Sequence, residues 1–174
     1  MEMPAPSRDI LHKRDRIIDR LRSVLADEHV ISDAMETRVY ECDALTAYAC
    51  QPMCVVLPGS TDEVSAVLRI CHEEGVPVVP RGSGTSLAGG ALPTEDSVVL
   101  GVSRMNAVLE TDYDNRFIRV ETGRTNLSVT GAVEQDGFFY APDPSSQLAC
   151  CLLYTSPSPR DCNEYLVCRL LLEK

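Results

Sequence analysis

The chain has 174 residues, 44% apolar and 24% charged, with a formal net charge of −10, enough for a buried core and ordinary for a globular protein. The acidic surplus excludes a nucleic-acid partner, which requires a basic face to neutralise phosphates. Lysine occurs only at Lys13 and Lys174, so arginine supplies nearly all the positive charge.

No stretch approaches the roughly 18 apolar residues of a transmembrane segment. Residues 1–20 lack the apolar centre of a secretion signal. The expected location is the cytoplasm, with peripheral attachment at the inner membrane left open. In residues 8–27, Ile10, Leu11, Ile17, Ile18, Leu21, Val24 and Leu25 recur on one face of a helix, and Ser7 stands where a cap belongs. Residues 30–48 show little period and read as irregular. Cys54 to Leu57 is a short apolar run closed by Pro58-Gly59, which predicts a buried strand. Ser60 or Thr61 then caps a helix bearing Val64, Val67, Leu68 and Cys71, with Asp62 and Glu63 in its first turn and Gly75 as its end. Val76 to Pro80 is the next strand, and the helical crossover makes it parallel to the first.

Three further strands are expected at Ser97 to Gly101, Ala107 to Glu110 and Phe117 to Glu121, the last two joined by a turn at 112–115. Thr125 or Asn126 opens a helix with Leu127, Val129, Ala132 and Val133, and Gly137 closes it. Phe138 to Tyr140 leads into Ala141-Pro142-Asp143-Pro144-Ser145-Ser146. This order gives an α+β fold rather than repeated βα units.

Eight cysteines occur. Without a secretion signal they do not read as a disulfide framework. Cys50 and Cys54 have a loose zinc spacing, but no second ligand pair follows, so no metal site is assigned. The thiols at Cys42, Cys50, Cys54 and Cys71 read as small buried hydrophobes.

The chemistry concentrates in Pro80-Arg81-Gly82-Ser83-Gly84-Thr85-Ser86-Leu87-Ala88-Gly89-Gly90, directly after a strand. Successive backbone N–H groups in such a loop converge on one spot and form an anion nest. Glycine permits the unusual dihedrals and the close approach of a phosphate. A nucleoside-triphosphate loop needs Gly-Lys followed by Ser or Thr, and no lysine lies here. The dinucleotide fingerprint G-x-G-x-x-G needs glycine where Leu87 stands. A glycine-rich turn without a ligand stays open on this loop alone, and a rigid proline turn stays open at 142–146.

Taken with Tyr40-Glu41-Cys42-Asp43-Ala44-Leu45-Thr46-Ala47-Tyr48 and Val55 to Pro58, these motifs resemble the FAD-linked 2-hydroxy-acid oxidases and dehydrogenases, over about residues 30–150. The likeness is greatest to the glycolate oxidase D-subunit type. It implies the N-terminal part of a two-subdomain FAD-binding domain of the vanillyl-alcohol-oxidase (PCMH) type. It implies FAD as cofactor, its pyrophosphate held by backbone amides of the loop from Pro80 to Gly90 and its surroundings lined by Pro142, Asp143, Ser145 and Ser146. Some relatives attach FAD through a histidine in the first loop. That loop has none here, so non-covalent FAD is implied. The implied reaction is oxidation of a D-2-hydroxy acid such as glycolate or lactate, with hydride transfer to flavin N5 and electrons leaving through another oxidase subunit or a quinone.

After Cys150 the family pattern calls for a Ser-Ile-Gly-Gly-Asn type stretch, and this chain reads Cys151-Leu152-Leu153-Tyr154-Thr155-Ser156-Pro157 instead. The expected organisation is an N-terminal helix at 1–30, a truncated FAD-binding domain at 31–150 and a non-native tail at 151–174. The substrate-binding residues and catalytic base of the family lie beyond this point, so no catalytic residue is assigned. Two other readings stay open. One is a different oxidase of the same flavin group, alkyl-ether-lipid synthase-like or alditol oxidase-like. The other is a stand-alone anion- or nucleotide-binding module without catalysis. Glu41 and Asp43 are expected to be solvated charges.

Overall fold

A computed structural model describes residues 3–141 and 171–173. The chain divides into two compact units, residues 1–104 and 105–174.

The first unit is built on a four-stranded sheet of order β1-β2-β4-β3, with β1 at Val30–Ile31, β2 at Cys54–Val56, β3 at Val78–Arg81 and β4 at Val98–Gly101. β1 runs antiparallel to β2, while β2 and β3 both run parallel to β4. The expected parallel relation of β2 and β3 holds. What the sequence does not reveal is that β4 inserts between them, with Val99 opposite both Val55 and Val79. The burial pattern explains the insertion. Every residue of β2 and β4 is buried, as strands covered on both faces must be, whereas β3 is only partly covered. Because β3 and β4 are parallel neighbours, residues 82–97 must return the whole length of the sheet. The glycine-rich loop is the start of that return, at the carboxyl end of β3.

The helix predicted across residues 8–27 is two helices, α1 (Arg8–His12) and α2 (Arg14–Arg22). Lys13 leaves helical geometry and its N–H reaches back to the Ile10 carbonyl at 2.9 Å. The apolar face continues across this break, since Ile10, Ile17, Ile18 and Leu21 are all buried. Ser7 stands at the N-cap of α1 without side-chain capping; its backbone N–H instead donates to Asp96 Oδ2 at 2.8 Å. Residues 30–48 are more ordered than their weak period implies. They contain β1 and a one-turn helix α3 (Ala34–Thr37), capped by Asp33 Oδ1 accepting from the Met35 and Glu36 N–H groups. One turn is too short to generate a readable period.

The crossover helix α4 (Thr61–Glu74) has the expected ends. Ser60 Oγ accepts from Glu63 N–H at 3.2 Å, and Glu63 Oε2 reaches back to Gly59 N–H at 2.7 Å. This reciprocal arrangement satisfies donors that the first turn leaves open. Ser60→Ala should therefore lower the stability of the chain by about 1 kcal/mol, read from the denaturant midpoint at constant slope. Gly75 ends α4 at φ +69°, the left-handed position. Val67, Ile70 and Cys71 face the core, whereas Leu68, expected on that face, is exposed.

α2 is tied to the end of α4 by charge. Glu74 Oε1 accepts from Arg16 at 2.7 Å and from Arg20 at 2.6 Å, while its side chain is only 4% exposed. Arg20 also pairs with Glu73. Hydrogen bonding from Arg20, against the opposing effect of burial, and with Arg16 adding to it, holds the Glu74 carboxyl below its ordinary value of 4.5. A carboxyl lowered in the folded state contributes stability above its unfolded pKa and loses it as the pH falls through the folded value. Denaturation midpoints should accordingly drop as the pH is lowered from 4.5. Glu74→Gln should be less stable than the parent at neutral pH and show a flatter acid limb; equal acid limbs would count against the pairing.

Cys54 and Cys71 are buried, and burial pushes their thiols up to about 12 and about 11 respectively, which leaves them unreactive. Cys42 and Cys50 are only partly covered, in contrast to the buried state expected of all four.

The second unit carries the antiparallel hairpin of β5 (Val108–Asp112) and β6 (Phe117–Val120). Its turn is fixed by Asp112, whose two carboxylate oxygens accept from the backbone and side-chain N–H groups of Asn115 at 2.9 and 2.8 Å. α5 (Asn126–Val133) buries Val129 and Val133 against Ile118 and Tyr140, leaving Leu127 exposed where an apolar face was expected. Gly137 follows at φ +82° and turns the chain into β7 (Phe138–Tyr140), which pairs antiparallel with β8 (Leu171–Glu173). Helices and strands are thus mixed without a repeated βα order, which is the α+β arrangement expected.

Candidate functional site: a glycine-rich anion cradle

β3 ends at Arg81, whose carbonyl accepts from Val102 N–H at 3.1 Å, and the loop departs from there. Gly84 and Gly89 adopt φ +70° and +77°, left-handed values that cost a side chain about 1–2 kcal/mol. Two of the loop's four glycines, Gly84 and Gly89, are therefore required by the backbone. Ser86 Oγ accepts from Ala88 N–H at 3.2 Å and bridges the middle of the loop, and Leu92 N–H closes onto the Gly89 carbonyl at 3.1 Å. The backbone N–H groups of Gly84, Thr85, Leu87, Gly89 and Gly90 make no hydrogen bond among the described residues. Donors of this kind want an acceptor. No carboxylate lies between Pro80 and Thr94, so nothing within the loop repels an anion.

Pro80, Ser83, Thr85 and Gly90 are exposed, and Gly82, Gly84, Ser86 and Gly89 are half-buried. The loop also exposes Leu87, at 73%. Arg81 behaves differently from its neighbours. Its Nη1 donates to the Cys42 carbonyl at 2.8 Å and to the Ala91 carbonyl at 3.4 Å, and its guanidinium lies 5.5 Å from the centre of the Tyr40 ring. At the α4 N-terminus the Gly59 and Glu63 N–H groups are already taken by Glu63 Oε2 and Ser60 Oγ.

Asp43 departs from the solvated charge expected of it. It is buried, at 4% exposure. Its Oδ1 accepts from Leu45 N–H at 2.8 Å, while Oδ2 has no hydrogen-bond partner among the described residues. Glu41 is half-buried and lies 3.8 Å from Arg38. Nothing in periodicity or composition distinguishes a buried Asp43 from a surface one. Its place in the Tyr40 to Tyr48 motif was the only sequence signal. Pro142, Asp143, Ser145 and Ser146 lie outside the described residues. Among the described residues, no helix is long and apolar enough to cross a membrane.

A mainly parallel sheet delivering a glycine-rich, amide-lined loop at a strand's carboxyl end defines a module for a phosphate-bearing cofactor. Unbonded donors, left-handed glycines and an absence of acidic groups all fit the pyrophosphate of a dinucleotide. The FAD binding domain family matches residues 52–153. The chain belongs to this family, and its cofactor is FAD. It is 42% identical over 137 residues to the glycolate oxidase subunit GlcD of Escherichia coli K12, covering 79% of this chain and 28% of that protein. To the protein of the same name from Bacillus subtilis it is 49% identical over 108 residues, 62% of this chain and 23% of the relative. A D-lactate dehydrogenase of Archaeoglobus fulgidus is 39% identical over 101 residues, 58% of this chain and 23% of the relative. The chain thus spans about a quarter of the length of these curated relatives. Among solved structures, an alkyldihydroxyacetonephosphate synthase superposes with TM-score 0.73 at 19% identity, over 87% of this chain and 29% of that one. A p-cresol methylhydroxylase does so with TM-score 0.71 at 19% identity, over 83% and 29%. At that identity the likeness is one of fold, and the fold is that of FAD-binding domains of the vanillyl-alcohol-oxidase type.

Proposed function

We propose that the loop from Pro80 to Gly90 holds the pyrophosphate of FAD non-covalently, and that the chain is the cofactor-binding part of an oxidoreductase acting on a D-2-hydroxy acid such as glycolate or lactate. The observation that carries the first half is the set of unbonded amides at Gly84, Thr85, Leu87, Gly89 and Gly90, in a stretch with two left-handed glycines. The second half rests on the glycolate oxidase and D-lactate dehydrogenase relatives. In this reading the loop amides and the hydroxyls of Ser83, Thr85 and Ser86 hold the phosphates by hydrogen bonds, and Pro142, Asp143, Ser145 and Ser146 line the same cofactor. FAD, when bound, supplies the hydride acceptor. Electrons pass on to another oxidase subunit or a quinone, and the protein is cytoplasmic, peripheral to the inner membrane.

Residues 1–174 alone are proposed to bind FAD only weakly and to oxidise no hydroxy acid, with residues 151–174 foreign to the family pattern. The family match covers residues 52–153 and leaves 154–174 outside it. Titration of the purified chain with FAD, followed by flavin fluorescence, should saturate, while gel filtration should strip the flavin. Absence of saturation would overturn the cradle. Turnover of glycolate or D-lactate with an artificial acceptor would overturn the inactivity. A continuous Gly-Gly-Asn reading in source DNA after codon 150 would establish the foreign tail.

A further inference from the structure

We infer that Arg81 is a positioning residue: its side chain turns away from the cofactor and braces the glycine loop against the Tyr40–Cys42 segment. This rests on the loop being the pyrophosphate cradle. An arginine in a phosphate loop is ordinarily taken for a phosphate ligand. Here its charge is already directed elsewhere. Nη1 is shared between the carbonyls of Cys42 and Ala91, at 2.8 and 3.4 Å. One guanidinium therefore clips the connection between β1 and β2 to the far end of the loop that it opens. The Tyr40 ring lies under its cationic face.

The same guanidinium sits where a side chain on Gly84 would be. A Cβ built on Gly84 would lie 2.3 Å from Arg81 Nη2, 2.6 Å from Cζ and 2.9 Å from Nε. Gly84 is thus glycine for two reasons, its left-handed φ and the planar group packed against its Cα. The far anchor is itself held. Cys50 N–H donates to the Glu41 carbonyl at 2.7 Å, and Asp43 Oδ1 accepts from Leu45 N–H at 2.8 Å. Arg81 therefore connects the loop to a fixed point. Donors set in advance bind an anion without an ordering cost at the moment of binding.

Lysine cannot imitate this brace. Its ammonium lacks the planar guanidinium that lies over the Tyr40 ring and packs against Gly84 while one of its nitrogens, Nη1, serves both carbonyls. The test is FAD and ADP titration of the whole chain in the Arg81→Ala, Arg81→Lys, Tyr40→Leu and Gly89→Ala variants, with melting temperature recorded without ligand. Arg81→Ala and Arg81→Lys should each weaken both ligands by about tenfold, and Tyr40→Leu by about threefold. An unliganded melting temperature close to the parent's separates lost positioning from lost folding. Should Arg81→Ala fail to fold, Arg81→Lys and Tyr40→Leu carry the test. Parental affinity in Arg81→Lys would show that charge alone suffices and overturn the brace. Parental affinity in both Arg81 variants, with loss in Gly89→Ala, would overturn the brace and leave the cradle standing. No saturable binding in the parent would remove the cradle and the brace with it.

Discussion

Val99→Asp should leave the first unit unfolded, and Val99→Ala should destabilise it by roughly 2–3 kcal/mol. Val99 is fully buried in β4, the strand that lies between β2 and β3, with Val55 and Val79 as its neighbours. Truncation to alanine removes two methyl groups, at about 0.8 kcal/mol of transfer energy each, and adds the energy of the remaining cavity. Aspartate places an unpaired charge where neither water nor a cation can reach it, and single domains have only about 5–15 kcal/mol in hand. The glycine loop emerges from this sheet, so Val99→Asp should also abolish FAD binding. Far-ultraviolet circular dichroism and a denaturant titration measure the first effect, and flavin fluorescence the second. A folded Val99→Asp chain would show that β4 is not the central strand.

Gly84→Ala should lose more FAD affinity than Gly89→Ala, and both more than Gly75→Ala. All three glycines have positive φ, at +70°, +77° and +69°. Alanine at each incurs a similar backbone strain of about 1–2 kcal/mol. Only Gly84 adds a collision, because its new Cβ meets the Arg81 guanidinium. A Cβ added at Gly75 or Gly89 would meet nothing within 4 Å. Gly75 caps α4 and lies outside the loop, so its variant should melt lower yet bind FAD as the parent does. Strain alone corresponds to about a 5–30-fold loss at Gly89, and displacement of Arg81 should push Gly84 beyond it. Equal affinity in all three variants would mean that the loop does not hold the cofactor.

The pieces legible in the amino-acid order are those whose causes are local. Ser60 and Gly75 mark the ends of α4 because a hydroxyl and a missing Cβ satisfy helix termini wherever they occur. The glycine loop was legible for the same reason, since left-handed backbone needs glycine at Gly84 and Gly89. The family pattern in Tyr40 to Tyr48 and in the loop carried the identity of the cofactor. Other features came only from the folded chain. Strand order is a matter of long-range pairing, so nothing in the run Val98 to Gly101 announces that it inserts between β2 and β3. Burial of Asp43 depends on what packs over it, and a one-turn helix at Ala34–Thr37 leaves no period to read. The direction of the Arg81 side chain is of the same kind. Its sequence position places it in the glycine-rich loop, and the Cys42 and Ala91 carbonyls and the Tyr40 ring that engage its guanidinium are brought to it only by folding.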